Sequence, residues 1–153
     1  MRDVFRRIFN ALAIYVSLTS VLFVCGCSTF ERDWRNAALA PIAPGSVEGR
    51  WEGHWKSEVN GHTGKLRCLL TKQDETRCEA RFKATYWKVL RFTYTATLAG
   101  EERDGAWRFN GSADLGKAAG GVYRYEGQAT ATNFHSTYRS EYDHGVFEMR
   151  RPE

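Results

Sequence analysis

The chain has 153 residues, of which 42% are hydrophobic, 14% aromatic and 26% charged, with 14 Gly, 3 Pro and 4 Cys. These proportions exclude a low-complexity disordered chain, a collagen-like chain and a cysteine-dense miniprotein, and the length indicates one domain. The formal net charge is +4. Residues 1–26 contribute three Arg and one Asp, so the chain without them carries +2, a charge too small to indicate a nucleic-acid partner.

The first residues have the layout of an export signal. Arg2, Arg6 and Arg7 precede an apolar stretch at residues 11–24, and the short motif Val24-Cys25-Gly26-Cys27 follows. A helix of this stretch would be about 21 Å long, at roughly 1.5 Å per residue, which is short for a hydrocarbon core of about 30 Å. We therefore expect residues 1–26 to be a cleaved signal peptide and not a permanent membrane span.

Val24, Gly26 and Cys27 resemble the lipobox of bacterial lipoproteins. The resemblance implies that the chain is cut after Gly26 and that the thiol of Cys27 carries a diacylglyceryl group. Acyl chains on Cys27 would then anchor the protein to a membrane. Ser28, in the position where Asp would indicate retention at the inner membrane, implies the outer membrane on its periplasmic side. Cleavage by the ordinary signal peptidase is the alternative.

Residues 27–45 are expected to form a lipidated N-terminus and a tether. Pro41, Pro44 and Gly45 lie in this segment, which has no strand-like alternation of apolar and polar residues. Phe30 and Trp34 are spaced so that both would lie on one face of a short helix, resting on the bilayer or on the domain. The other interpretation makes them part of a loose linker.

Residues 46–153 alternate apolar and polar side chains, which is typical of half-buried strands. The expected strands cover about residues 50–56, 65–71, 78–86, 91–98, 107–115, 123–129, 134–142 and 147–149. Eight consecutive antiparallel strands with one apolar face can hide that face and both sheet edges by closing on themselves. We predict an all-β fold, an eight-stranded antiparallel up-and-down barrel over residues 46–153. A two-sheet sandwich is the alternative.

Turn residues between the strands predict their register. Asn60-Gly61 and Asp104-Gly105 are strong signals for two-residue hairpin turns. Further turns are expected near Gln73, near Thr132-Asn133 and near Asp143-His144-Gly145. The resulting partners are Trp55 with Leu66, Gly53 with Cys68, Trp51 with Leu70, Leu98 with Gly111, Ala96 with Ala113, and Tyr125 with Ser140.

Two cysteines lie within the expected barrel. A hairpin centred on Gln73 would place Cys68 directly opposite Cys78, and export would take both into an oxidising compartment. A cross-strand disulfide between Cys68 and Cys78 is therefore predicted, with two buried free thiols as the alternative.

The sequence indicates neither an enzyme nor a cofactor or metal site. His54, His62, His135 and His144 have no close ligand spacing, and the common nucleophile, zinc-protease and phosphate-loop motifs are absent from the sequence. We expect a noncatalytic protein without metal, cofactor or nucleic acid. No feature of the sequence identifies a protein partner.

Gly49-Arg50-Trp51 near the start of the barrel, with Arg150 and Arg151 at its end, resembles the lipocalin and broader calycin pattern. The resemblance implies that Trp51 packs at the closed end of the barrel under an arginine of the last strand, Arg150 or Arg151. The Thr-Asp-Tyr signature of lipocalins is not present. The chain is thus similar to a small bacterial lipoprotein with a lipocalin-like barrel.

Small inward residues alternate with aromatic ones along the expected strands, which leaves two possibilities open. The barrel either encloses a cavity for a small apolar or amphipathic ligand or is filled by its own aromatic rings. The candidate ligand-binding side chains are Trp55, Tyr94, Tyr123, Tyr125, Tyr138 and Tyr142. The alternative function is a structural or protein-interaction lipoprotein with a filled barrel.

Overall fold

The computed structural model describes residues 25–153 apart from Lys88, with side chains from residue 29 onward. Internal contacts divide the chain into two compact units, residues 1–33 and 34–153, and each is described by itself. Residues 1–24 of the expected signal and the side chain of Cys27 lie outside the described part.

Helix α1 covers Cys25–Leu39 and includes part of the segment expected to form the lipidated N-terminus and tether. Residues 40–48, between the helix and the barrel, have no regular secondary structure. Pro41 and Pro44 follow the helix, as is common after a helix end. Phe30 and Trp34 are both buried, as their helical spacing suggested. The guanidinium groups of Arg50 and Arg67 lie 5.4 and 5.0 Å from the centre of the Trp34 ring, so Trp34 rests on the outside of the barrel.

The described part of residues 46–153 forms a closed barrel of antiparallel strands in up-and-down order. The strands are β1 (Gly49–Ser57), β2 (Thr63–Lys72), β3 (Arg77–Tyr86), β4 (Leu90–Arg103), β5 (Ala106–Asp114), β6 (Val122–Ala129), β7 (Asn133–Arg139) and β8 (His144–Arg150). Pairing of β1 with β8 closes the sheet. The predicted barrel is confirmed and the sandwich alternative is excluded. This architecture is consistent with a lipocalin-like fold.

Most of the predicted inward positions are buried, whereas Phe92 and Tyr142 are exposed. In β3, for example, Cys78, Ala80, Phe82 and Ala84 are at most 4% exposed, whereas Glu79 between them is exposed. The period of two therefore holds along the strands, and the apolar face becomes the core of the barrel.

The Asp104-Gly105 turn has the predicted register. Leu98 pairs with Gly111, and both turn residues have positive φ angles, 55° and 75°, as a type I′ turn requires. Asp tolerates this conformation better than most residues, which explains why the two-residue signal was reliable here.

The register of the β1–β2 hairpin differs from the prediction by two residues. Trp55 pairs with Gly64, Gly53 with Leu66 and Trp51 with Cys68, because the loop is wider than the two residues Asn60-Gly61. The Ser57 hydroxyl accepts hydrogen bonds from the N–H groups of Val59 and Asn60 and holds this wider loop. A shift of two residues keeps every side chain on its predicted face.

Two later turns also lie elsewhere than predicted. Tyr125 pairs with Tyr138 and not with Ser140, because the β6–β7 turn closes between Thr130 and Asn133. The β7–β8 turn closes between Ser140 and Asp143, so His144 and Gly145 belong to β8. Tyr142 consequently lies in a turn and is 69% exposed.

The β2–β3 loop is displaced from Gln73, which changes the surroundings of both cysteines. The Asp74 carboxylate accepts hydrogen bonds from the backbone and side chain of Arg77, and this contact lowers its pKa to about 2. In the resulting register Cys68 pairs with Phe82, and Cys78 pairs with Lys72.

The cysteines are therefore not cross-strand partners, and both thiols are free and buried in this structure. Phe82, the partner of Cys68, lies four positions beyond Cys78, which is roughly 13 Å along a strand. The register on which the predicted disulfide rested is wrong. Burial raises the pKa of the Cys78 thiol to about 11.

Candidate functional site

The up-and-down order gathers the loops at two ends of the barrel. The described residues of the loops after β1, β3, β5 and β7 lie at one end, which we call the mouth end, and they are residues 58–62, 87, 89, 115–121 and 140–143. The loops after the even-numbered strands lie at the other, which we call the floor end. A single turn of 3-10 helix, Lys117–Ala119, is part of the mouth end.

The floor end is closed by Trp51 and Arg151. Trp51 has no exposed surface, and its indole N–H donates to the Val47 carbonyl at 2.9 Å. The Arg151 guanidinium lies 3.9 Å from the centre of the Trp51 ring, a cation–π distance. It also donates to the carbonyl oxygens of Ser46 and Glu48, each at 2.6 Å, and to those of Ala131 and Arg50. Of the two arginines considered from the sequence, Arg151 covers Trp51, whereas Arg150 is exposed.

The middle of the barrel is filled by aromatic rings. The Phe82 ring lies between those of Tyr94, Tyr125 and Phe147, with centroid distances of 5.2, 6.0 and 5.5 Å. The small inward residues of β3 and β4, such as Ala80 and Ala96, leave room for these rings. In this part of the barrel the alternation of small and large residues therefore makes a packed core.

Tyr125 places a polar hydroxyl group in this apolar core. Its oxygen is buried, and the neighbouring Tyr94 hydroxyl influences the Tyr125 pKa. Burial raises the pKa of both tyrosines, so both hydroxyls are neutral at physiological pH.

A cavity of about 650 Å³ opens at the mouth end. Its volume lies within the usual range for small-molecule sites. The lining is mainly apolar and aromatic, with a few polar groups at the entrance. Its residues include Trp55, Tyr86, Trp87, Leu90, Phe92, Leu115, Ala118, Tyr123, His62, Arg91 and Asp143.

The structure distributes the six candidate ligand-binding residues over three regions. Trp55 and Tyr123 line the mouth cavity. Tyr94, Tyr125 and Tyr138 belong to the packed interior below it or border that interior. Tyr142 lies in the exposed β7–β8 turn and not on the inward face, because that strand ends at Arg139.

Several cavity residues were not among the sequence candidates. Tyr86 and Phe92 stand at the ends of β3 and β4, where the strands rise to the mouth, and Trp87 lies in the turn between them. Trp87 has a φ angle of 46°, which directs the chain into a tight reversal. The concentration of apolar residues between Tyr86 and Phe92, five of seven positions, was the available sequence signal, since surfaces rarely expose so many close together.

Asp143 is a polar residue of the mouth cavity whose carboxylate accepts hydrogen bonds from two hydroxyl groups. The buried Ser57 hydroxyl donates to one of its carboxylate oxygens at 2.6 Å, and the Tyr138 hydroxyl donates to the other at 3.2 Å. Burial, together with the Asp143 charge, raises the pKa of Tyr138, and burial raises that of Tyr86 to about 12. Both phenols therefore remain protonated at neutral pH.

Gly64 sets the position of the Trp55 indole. The indole N–H donates to the Thr85 carbonyl at 3.1 Å, and the Trp55 ring lies 4.5 Å from that of Tyr86. A Cβ atom at Gly64 would stand 1.9 Å from the Thr85 oxygen and 2.6 Å from the indole nitrogen. The absence of a side chain at this position allows β2 to pass close beside the indole.

Comparison of the chain with family models, with curated proteins and with solved structures finds no match. Within residues 25–153 as described, no helix is both long and apolar enough to span a bilayer. The same residues contain no group of three or more His, Cys, Asp or Glu side chains arranged to hold a metal ion. The geometry of the mouth cavity is therefore the basis for a functional proposal.

Proposed function

We propose that this chain is a lipid-anchored protein of the bacterial cell envelope whose barrel binds a small apolar or amphipathic molecule in the mouth cavity. The observation that carries the proposal is the cavity itself, about 650 Å³ in volume and lined by aromatic and aliphatic side chains above a packed interior. The proposal assigns binding alone to this site, without a catalytic step.

The lining favours a flat or aliphatic ligand with a polar end. Burial of such a ligand against Trp55, Leu90 and Phe92 would contribute roughly 25 cal/mol for each Å² of apolar surface removed from water. Asp143 and Arg91 offer one charge of each sign at the cavity wall. A ligand with an apolar body and a small polar group would match this arrangement.

The anchor is proposed from the sequence. The lipobox-like residues Val24, Gly26 and Cys27 support cleavage after Gly26 and acylation of Cys27, and Ser28 supports the periplasmic side of the outer membrane. Cells that express the chain with a labelled palmitate analogue should incorporate the label, and Cys27→Ser should abolish it. Unchanged labelling of Cys27→Ser would contradict the assignment, and Cys25→Ser serves as the matched control because Cys25 precedes the proposed cut.

Filling the cavity is expected to prevent binding. Ala118 lines the cavity and is exposed, so Ala118→Trp can occupy the entrance without disturbing the core. We expect titration with a fluorescent naphthalene probe to give affinity for the wild type and a loss on the order of tenfold or more for Ala118→Trp. Ala99→Trp, on the exposed outer wall of β4, is the matched control and should bind like the wild type.

The rival function is a structural or protein-interaction lipoprotein, which the ring-filled middle of the barrel favours. Native mass spectrometry of the full chain isolated from cells separates the two functions. Additional mass that Ala118→Trp removes would support ligand binding. The mouth would be ruled out as a site if the wild-type chain carried no additional mass and if Ala118→Trp bound the probe as tightly as the wild type.

A further inference from the structure

The exposed apolar side chains of the barrel are concentrated at its mouth end. Within the described part of residues 46–153, the exposed large hydrophobic residues are Val59, Tyr86, Trp87, Val89, Leu90, Phe92, Val122 and Tyr142. Each of them lies in one of the four mouth loops or in a strand position next to one. The β3–β4 turn carries the most exposed of them, Trp87 at 74% and Val89 at 76%.

We propose that the mouth end is a membrane-docking surface, whose loop tips insert into the interfacial layer of a lipid bilayer. Trp and Tyr side chains prefer this layer because their rings are apolar while an N–H or O–H group remains hydrated. Trp87 and Tyr142 supply such rings on two loops, and Val59, Val89 and Val122 supply aliphatic tips on three.

The arrangement fits a bilayer better than a protein partner. The apolar groups that lie outside the cavity, Val59, Val89, Val122 and Tyr142, belong to four separate loops or to the strand end beside one, so a deformable surface can cover all of them at once. Among the described residues between the tips, the exposed charges Glu58 and Glu141 stand against Arg91 and Lys117, so both signs are present. Insertion should therefore depend on apolar contact and persist at high salt.

The mouth cavity is continuous with this surface. Tyr86, Trp87, Leu90 and Phe92 are partly exposed and also line the cavity. A docked mouth would let an amphipathic molecule pass from the bilayer into the barrel without crossing water. Docking goes beyond the proposed binding function, because it concerns the surface and not the occupancy of the cavity.

The tryptophans provide a direct measurement of docking. The chain has five, and Trp87 is 74% exposed, whereas Trp34, Trp51, Trp55 and Trp107 are at most 7% exposed. The full chain is bound to phosphatidylcholine vesicles with bromine atoms on the acyl chains, which quench indoles at membrane depth. The readout is the quenching of Trp87, since the N-terminal apolar segment or an acyl chain can bring the protein to the vesicle in either case.

We expect brominated vesicles to quench the wild-type emission relative to unbrominated vesicles, and Trp87→Phe to lose most of this quenching. The double variant Val89→Asp with Val122→Asp should also lose the quenching although Trp87 is still present, because the new carboxylates on the loop tips oppose insertion. The matched control pair is Leu39→Asp with Ile42→Asp, two exposed apolar positions outside the mouth end, and it should be quenched like the wild type.

Two results would overturn the proposal. One is equal Trp87 emission in brominated and unbrominated vesicles that carry bound protein. The other is a stable dimer, seen by sedimentation, that the Val89 and Val122 changes dissociate, because the mouth would then be an interface between two copies. A docked mouth with an unoccupied cavity would instead contradict the proposed binding function and leave docking intact.

Discussion

Replacing Phe82 by alanine is expected to lower the free energy of unfolding by about 3–5 kcal/mol, the range for large aromatic truncations in cores. Phe82 is 1% exposed, and its ring contacts those of Tyr94, Tyr125 and Phe147. The stack closes the middle of the barrel, so truncation leaves a void that the surrounding sheet cannot fill. Chemical denaturation followed by circular dichroism measures the loss.

Phe92→Ala is the matched control for this change. The same side chain is removed, but Phe92 is 37% exposed and lines the mouth cavity. We expect stability to change by less than about 1 kcal/mol, while binding of the naphthalene probe becomes weaker. Equal losses of stability in the two variants would contradict the division of the barrel into a packed middle and an open mouth.

Arg151→Ala is expected to destabilise the protein by about 2–4 kcal/mol, since it removes charged hydrogen bonds together with a cation–π contact. The Arg151 side chain joins the last residues of the chain to the carbonyl oxygens of Ser46 and Glu48, which precede β1. Removing it leaves those oxygens without their donor and uncovers the Trp51 ring. Thermal unfolding and denaturant titration give the magnitude.

Two further variants separate charge from geometry at the floor end. Arg150→Ala removes an exposed neighbouring cation and should change stability by about 0.5 kcal/mol or less. Arg151→Lys keeps the positive charge but loses the planar guanidinium group with its several N–H donors. It should therefore recover only a minor part of the stability that Arg151→Ala loses. Full recovery with Arg151→Lys would mean that charge alone stabilises this end.

The barrel could be predicted from the sequence because burial on one face imposes a period of two on every strand. A register error of two residues does not break that period, so the inward faces were correct in β1 and β2 although Trp55 was assigned to Leu66 and pairs with Gly64. The errors lie in loops where a side chain captures backbone groups, as Ser57, Asp74 and Thr130 do. Such local hydrogen bonds lengthen or displace a turn without altering the apolar pattern.

The candidate site was predictable only in part. Trp55 and Tyr123 were found because they are aromatic residues on inward positions, and both line the cavity. Position along the strand was the missing information: Tyr125 and Tyr138 share the inward face but lie deeper, among the core residues. The displaced β7–β8 turn then removed Tyr142 from that face. Whether a side chain faces inward depends on whether its position along the strand is odd or even. Its depth in the barrel depends on the register of the strand.

The positive φ angle of Trp87 lowers the stability of the folded chain. A side chain with a Cβ atom in the left-handed region is disfavoured by roughly 1–2 kcal/mol, and only glycine avoids this penalty routinely. Trp87, with its φ of 46° and 74% of its surface exposed, recovers little of that energy through burial. Selection for stability alone would favour glycine here, so the indole is a residue that the fold tolerates at a cost, as is common where activity and stability conflict.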